Sequence, residues 1–165
     1  MNKKGFSLVE LIIVIAIMAI LVGVMAPQLI KYIEKTNVSA DIQLCDSVKT
    51  ALEIAISDPV VLNDPSSKAY IDNLLNGTKW QSGDAVGASE YRDLIIETLG
   101  YDVFTTTTSR SKMKSTPAKA SGVLSCQTID GHIYVWIDHS DINAKKGDYT
   151  ASGVSDLSNG VIYVE

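Results

Sequence analysis

Glu10 is the residue whose placement most demands a chemical explanation. It lies near the start of an apolar run from Phe6 to Ile30, 25 residues interrupted only by Ser7, Glu10, Pro27 and Gln28. A carboxylate carried to the centre of a bilayer costs about 2.5–3.5 kcal/mol on insertion scales, and less near the membrane edge. A plain anchor gains nothing from that cost, so the residue points to a partner. A cut between Gly5 and Phe6 would supply one, because the new α-amino group would sit four residues from Glu10 on the same helical face. Paired in a low-dielectric bundle of helices, ammonium and carboxylate offset part of each other's desolvation; alone, each is a penalty. The pair can close within one chain or between neighbours, and between neighbours it would fix the register of a helical assembly.

Other chemistry-bearing groups are sparser. Cys45 falls in the apolar stripe of a predicted helix, and Cys126 in a predicted strand that should face it. On the exported side of a membrane the two can form a disulfide, or stay as two buried thiols packed as small hydrophobes. Thr105 to Ile129 carries Arg110, Lys112, Lys114 and Lys119 and no acid. As a basic polar loop it suits DNA phosphates, an acidic polysaccharide or an acidic neighbour, and equally a solvated surface. His132 and His139 lie on or beside one strand with no nucleophile partner. There is no phosphate-cradling glycine loop and no nucleophile elbow. The expectation is a protein that is not an enzyme and uses no cofactor. Trp80 and Trp136 fit packing positions better than a sugar platform.

The elements that position these groups follow from periodicity. The apolar run spans roughly 37 Å as a helix, enough to cross a hydrocarbon core of about 30 Å. Lys3 and Lys4 precede it and place the amino terminus on the cytoplasmic side. Val24-Met25-Ala26-Pro27 is a poor secretory cleavage site, since Pro27 would follow the cut. Pro27 clashes with the carbonyl of Gly23, itself a weak helix former, so the two mark a kink or a locally melted turn. Beyond Ile30 the helix turns amphipathic, with Val38, Ile42, Cys45, Val48 or Lys49, Leu52 and Ile56 on one face and Asp41 among the polar residues opposite. Ser57-Asp58-Pro59 ends it. A helix from Phe6 to Ile56 is about 77 Å long, so its first half must project into membrane or into like helices.

The rest predicts a small α+β head. Asp64 and Pro65 start a helix running to about Asn76, and Ser89 caps another from Glu90 to Leu99 with Gly100 at its stop. Val123–Ile129 and His132–Ile137 flank Asp130-Gly131, a favoured two-residue hairpin turn. A last strand runs from Gly160 to Val164. Three or four antiparallel strands on the long helix make one core.

Composition narrows the functional classes. With 46% apolar and 20% charged residues over 165 positions, neither disorder nor a multi-pass membrane protein fits. The net charge of -5 disfavours nucleic-acid binding through overall charge. Two cysteines cannot build a disulfide scaffold or a four-thiolate zinc site.

The string Gly5-Phe6-Ser7-Leu8-Val9-Glu10, after a short basic leader and before a long apolar run, resembles a type IV prepilin with its class III signal sequence. The resemblance covers about the first 55 residues. It implies cleavage after Gly5 by a prepilin peptidase, N-methylation of Phe6, and a role for Glu10 in subunit registration. It implies a pilin fold: residues 1–5 as cleaved leader, 6–30 as transmembrane and filament-core helix, and 31–165 as an extracellular head that includes the amphipathic half-helix, about 31–56. Its partners would be further copies of itself, the peptidase, an assembly platform with its ATPase, the cytoplasmic membrane and minor pilins, with nucleic acid unexpected. In the family, a proline near Pro27 marks a segment that unwinds on entering the filament. The carboxyl-terminal cysteine pair of many Gram-negative pilins is missing, which points toward a Gram-positive, clostridial type. The implied function is a filament subunit for adhesion, surface motility or biofilm formation. The alternatives are a pseudopilin of a type II secretion system, or a minor tip pilin that binds DNA or a glycan. Resemblance to pseudopilins would suggest calcium at Asp138, Asp141, Asp148 and Asp156, but their spacing is not that of a calcium loop and Lys145 and Lys146 intervene, so the expectation is an acidic surface loop and no metal.

Overall fold

The computed structural model describes residues 7–137 and 162–164. Its first element, α1, runs from Leu8 to Ser57. The chain divides into two units, one up to Thr36 and one from Asn37.

In the first unit α1 has no buried face. Every large apolar residue from Leu8 to Ile33 is at least 48% exposed. In the second unit the same helix buries Val38, Asp41, Cys45, Val48, Ala51, Leu52 and Ala55. Their three- and four-residue steps form one stripe. The stripe is rotated slightly from the expected one: Ile42 and Ile56 flank the core as partly buried residues, and Asp41 takes an inner position.

Pro59 ends α1 as expected, but it also opens a further turn, α2 (Pro59–Asn63). Asp58 Oδ1 caps it by accepting from the amides of Val60 and Val61, at 2.7 and 3.3 Å. Asp64 caps α3 (Pro65–Leu75), and Ser89 caps α4 (Glu90–Leu99), which stops at Gly100 in the left-handed conformation. Ser67 joins the two caps, since its hydroxyl donates to Asp64 and accepts from the Tyr91 amide at 2.9 Å.

Four antiparallel strands form one sheet in chain order: β1 (Trp80–Gln81), β2 (Leu124–Ile129), β3 (His132–Ile137) and β4 (Ile162–Val164). Asp130 and Gly131 have φ of 52° and 81°, the positive pair that the tight turn between β2 and β3 requires. Leu124 and Cys126 pair with Ile137 and Val135 on one sheet face, and all four join the core with the buried stripe of α1. The architecture is the expected α+β arrangement of a long helix on an antiparallel sheet.

The stretch Thr105–Ile129 departs from the expected loop. It contains two short helices, α5 (Thr106–Lys112) and α6 (Thr116–Ser121), before it enters β2. Local capping accounts for α6: the buried Ser115 accepts from the Ala118 amide, with proline in the first turn. In α5 no side chain caps the start, and Ser109 instead ties the helix to the preceding segment by donating to the Val103 carbonyl at 2.6 Å.

Candidate functional site

The amino-terminal helix starts with a capping box. Ser7 precedes the first helical residue, and Glu10 is the third residue within. Glu10 Oε2 accepts from the Ser7 amide at 2.8 Å, and Ser7 Oγ accepts from the Val9 amide at 3.4 Å. The two side chains thus satisfy amides that a helix start leaves without partners. The carboxylate also faces the positive end of the helix macrodipole. The expected cleavage site, Gly5 and Phe6, lies outside the described residues; Glu10, the expected registration residue, lies within them.

From Glu10 onward α1 is long and apolar enough to cross a membrane. Gly23 and Pro27 both stay helical, and no melted turn is present in this state. Pro27 still lacks an amide hydrogen, so the Gly23 carbonyl loses its usual helical donor there.

In the second unit Cys45 and Cys126 are both fully buried thiols, and no disulfide joins them. Burial pushes both thiols up from their ordinary value, with nearby Asp41 and Asp46 adding to the effect at Cys45, and Asp84 at Cys126. Arg110, Lys112, Lys114 and Lys119 are exposed, on α5, α6 and the link between them rather than on a loop. Lys112 Nζ stands 5.0 Å from the centre of the Tyr101 ring. Asp138, Asp141, Asp148, Asp156 and His139 lie outside the described residues; His132 is exposed at the start of β3. Among the described residues no group of three metal-binding side chains is gathered.

Comparison with known proteins agrees with the amino-terminal geometry. A sequence family described as the prokaryotic N-terminal methylation motif matches residues 1–26. Prepilin peptidase-dependent protein A of Clostridium perfringens is 31% identical over 97 residues, covering 57% of this chain and 68% of that protein. The chain belongs to the type IV pilin family. A fimbrial protein of Pseudomonas aeruginosa is 43% identical to this pilin over 54 residues, 33% of the pilin and 35% of the relative. The type IV major fimbrial protein FimA of Dichelobacter nodosus is 39% identical over 56 residues, 34% and 36% of the two chains. The pilin thus spans about two thirds of the clostridial relative and about a third of the other two. No solved structure matches it.

The pilin's head holds one site that the sequence pattern hid. Asp41 is fully buried on α1. Its carboxyl group accepts from the backbone amides of Lys114 and Ser115, at 2.7 and 2.8 Å, and from the Ser115 hydroxyl. One side chain of α1 therefore fastens the junction of α5 and α6. The available signal was spacing: Asp41 is three residues after Val38 and four before Cys45, squarely on the buried stripe. Trp80 packs edge-on against Phe104 with ring centres 5.1 Å apart, and Trp136 is fully buried in β3, so both aromatics serve packing.

Proposed function

We propose that this pilin is a structural subunit of an extracellular type IV filament, made first as a membrane-inserted precursor. The observation that carries the reading is the fully exposed apolar surface of α1 from Leu8 to Ile33, bearing Glu10 as its one acid. Water does not tolerate such a surface. A bilayer covers it before assembly, and like helices cover it afterwards.

In this reading a prepilin peptidase cuts between Gly5 and Phe6 and methylates the new amine. The cut removes Lys3 and Lys4 and moves the side-chain charge from -5 to -7. It also places an ammonium group within one turn of Glu10. The carboxylate then has two claimants, the Ser7 amide of its own chain and the Phe6 amine of its own or a neighbouring chain. Pairing between neighbours sets the axial register as an assembly platform and its ATPase lift the subunit from the membrane. The turn between Gly23 and Pro27, already short of one hydrogen bond, is where α1 unwinds most readily on entry to the filament. The head is exported to the cell surface, where the filament serves adhesion, surface motility or biofilm formation. No catalysis is assigned to it.

Mass spectrometry of filaments sheared from the native cell surface tests the reading. The expected result is an abundant chain that begins at methylated Phe6. A mature chain confined to the membrane fraction would overturn the role of major subunit, and an intact amino terminus would overturn the processing. Replacing Gly5 with a bulky residue should leave the leader attached. Glu10→Val should be inserted and cleaved, yet yield at least about tenfold fewer filaments because the buried charge pair is lost. Normal yield from that variant refutes the role given to Glu10.

A further inference from the structure

We infer that the basic surface of α5 and α6 docks on an acidic face of α4 in a neighbouring copy of this chain, an inference that rests on the filament reading above. The charge of the chain is segregated. Thr105–Ile129 holds four cations and no acid, whereas the rest of a chain starting at Phe6 holds eight cations and 19 acids, a net -11.

The fold turns that segregation into a surface. Arg110 and Lys112 lie in the last turn of α5 and Lys119 in the last turn of α6, where the helix dipole favours cations. The Arg110 side chain lies across the two helix ends. Its guanidinium lies against Gly122, just past α6, so closely that a Cβ there would fall 1.9 Å from Arg110 Nε. Asp41 holds the backbone of Lys114 and leaves its side chain exposed. The basic side chains are thus presented from a fastened support.

The complementary surface is on α4. Glu90, Asp93 and Glu97 follow at three- and four-residue steps and share one exposed face, while Tyr91 and Ile95 of the same helix are buried. Among the described residues, the side chains of Lys114, Lys119, Glu90, Asp93 and Glu97 have no ion-pair partner within the chain. Two unlike and complementary surfaces on one subunit associate head to tail. When such a contact does not close into a ring it repeats as an open helix, the symmetry of a filament. The same charge balance disfavours a long polyanion as the occupant, because the remaining net -11 repels it. That excess of acid is what a neighbour's basic surface meets.

The test is a charge swap in the full chain, expressed in its native host, with sheared filaments and membrane-bound mature pilin measured together. Lys114→Glu with Lys119→Glu, and separately Glu90→Lys with Glu97→Lys, should each lower filament yield about fivefold or more at low salt, leaving the membrane pool unchanged. Both pairs combined should restore yield to within about twofold of the unaltered chain. If a reversal depletes the membrane pool, the neutral pair Lys114→Gln with Lys119→Gln replaces it, with a smaller loss expected. Unchanged yield, or no restoration in the combined variant, overturns the pairing while leaving the filament reading intact. Absence of the unaltered chain from sheared filaments overturns both. DNA or heparin binding that Lys114→Glu with Lys119→Glu abolishes at unchanged yield also overturns it, in favour of a polyanion contact.

Discussion

The two halves of α1 carry similar aliphatic residues and meet opposite fates. Before Thr36, isoleucine, leucine and valine stand exposed on every side of the helix; after Asn37, Val38, Val48 and Leu52 are at most 2% exposed. What separates them is polar patterning. The second half alternates apolar stripe and polar face, and finds its cover in the chain's own sheet and helices. The first half is apolar all round, a surface suited to lipid or to copies of itself. Polar groups follow the same division. Glu10 sits at a helix start, where amides need an acceptor, whereas Asp41 is fully enclosed and its oxygens meet three donors. The first region leaves its apolar surface uncovered within the chain, whereas the second covers its own apolar stripe.

That contrast breaks most visibly at Asp41. Asp41→Ala strips the acceptor from two buried or part-buried amides and a hydroxyl, and should cost about 3–5 kcal/mol of head stability. Trp80 and Trp136 both lie in the head, so urea unfolding of the full chain in detergent, followed by tryptophan fluorescence, reads this directly. Asp41→Asn keeps one acceptor oxygen and should lose less. An unchanged midpoint for Asp41→Ala would mean that the α5–α6 junction is held by something else. A paired substitution comes next. Ile95, fully buried in α4, should cost about 3 kcal/mol when cut to alanine. Ile17→Ala, at a position 52% exposed, should move the same midpoint by less than about 0.5 kcal/mol and lower filament yield instead. Equal shifts from the two would erase the distinction between the regions.

Most of this fold was legible because each element carries its own punctuation. Asp64-Pro65, Ser89 with Gly100, and Asp130-Gly131 are local signals whose meaning does not depend on the tertiary structure. The amino-terminal motif matched over residues 1–26 was legible for a similar reason, since Gly5, Phe6 and Glu10 are close in sequence. Three features stayed hidden. Asp58-Pro59 reads in sequence only as a stop, although the same pair starts α2. Ser115, with proline two positions on, was masked by the surrounding serines and threonines that suggested a loop. Asp41 looked like surface because its type outweighed its phase on the helix; its donors lie more than 70 residues away, and no local pattern announces them.

The smallest effect concerns the two thiols, and it separates the regions by chemistry rather than stability. Burial raises Cys45 and Cys126, so the folded head holds their protons at pH values where an unfolded chain loses them. Tyr101, which burial pushes up to about 12, acts in the same direction. For groups raised on folding, their stabilising contribution is whole below the unfolded pKa and falls as pH rises toward the folded one. The urea midpoint should therefore hold up to about pH 8 and decline between about pH 9 and 11. Alkylation gives the sharper measurement. At about pH 8 both thiols should stay unlabelled in the native chain and react fully in urea, because labelling must wait for the head to open. A cysteine placed by Ala26→Cys, on the exposed part of α1, should instead be labelled without unfolding by an apolar, micelle-permeant maleimide in the detergent-solubilised chain, and be shielded in the assembled filament. Rapid native labelling of Cys45 or Cys126 would show that the head is not closed on its own, and equal reactivity of Ala26→Cys in both states would show that assembly does not cover the first region.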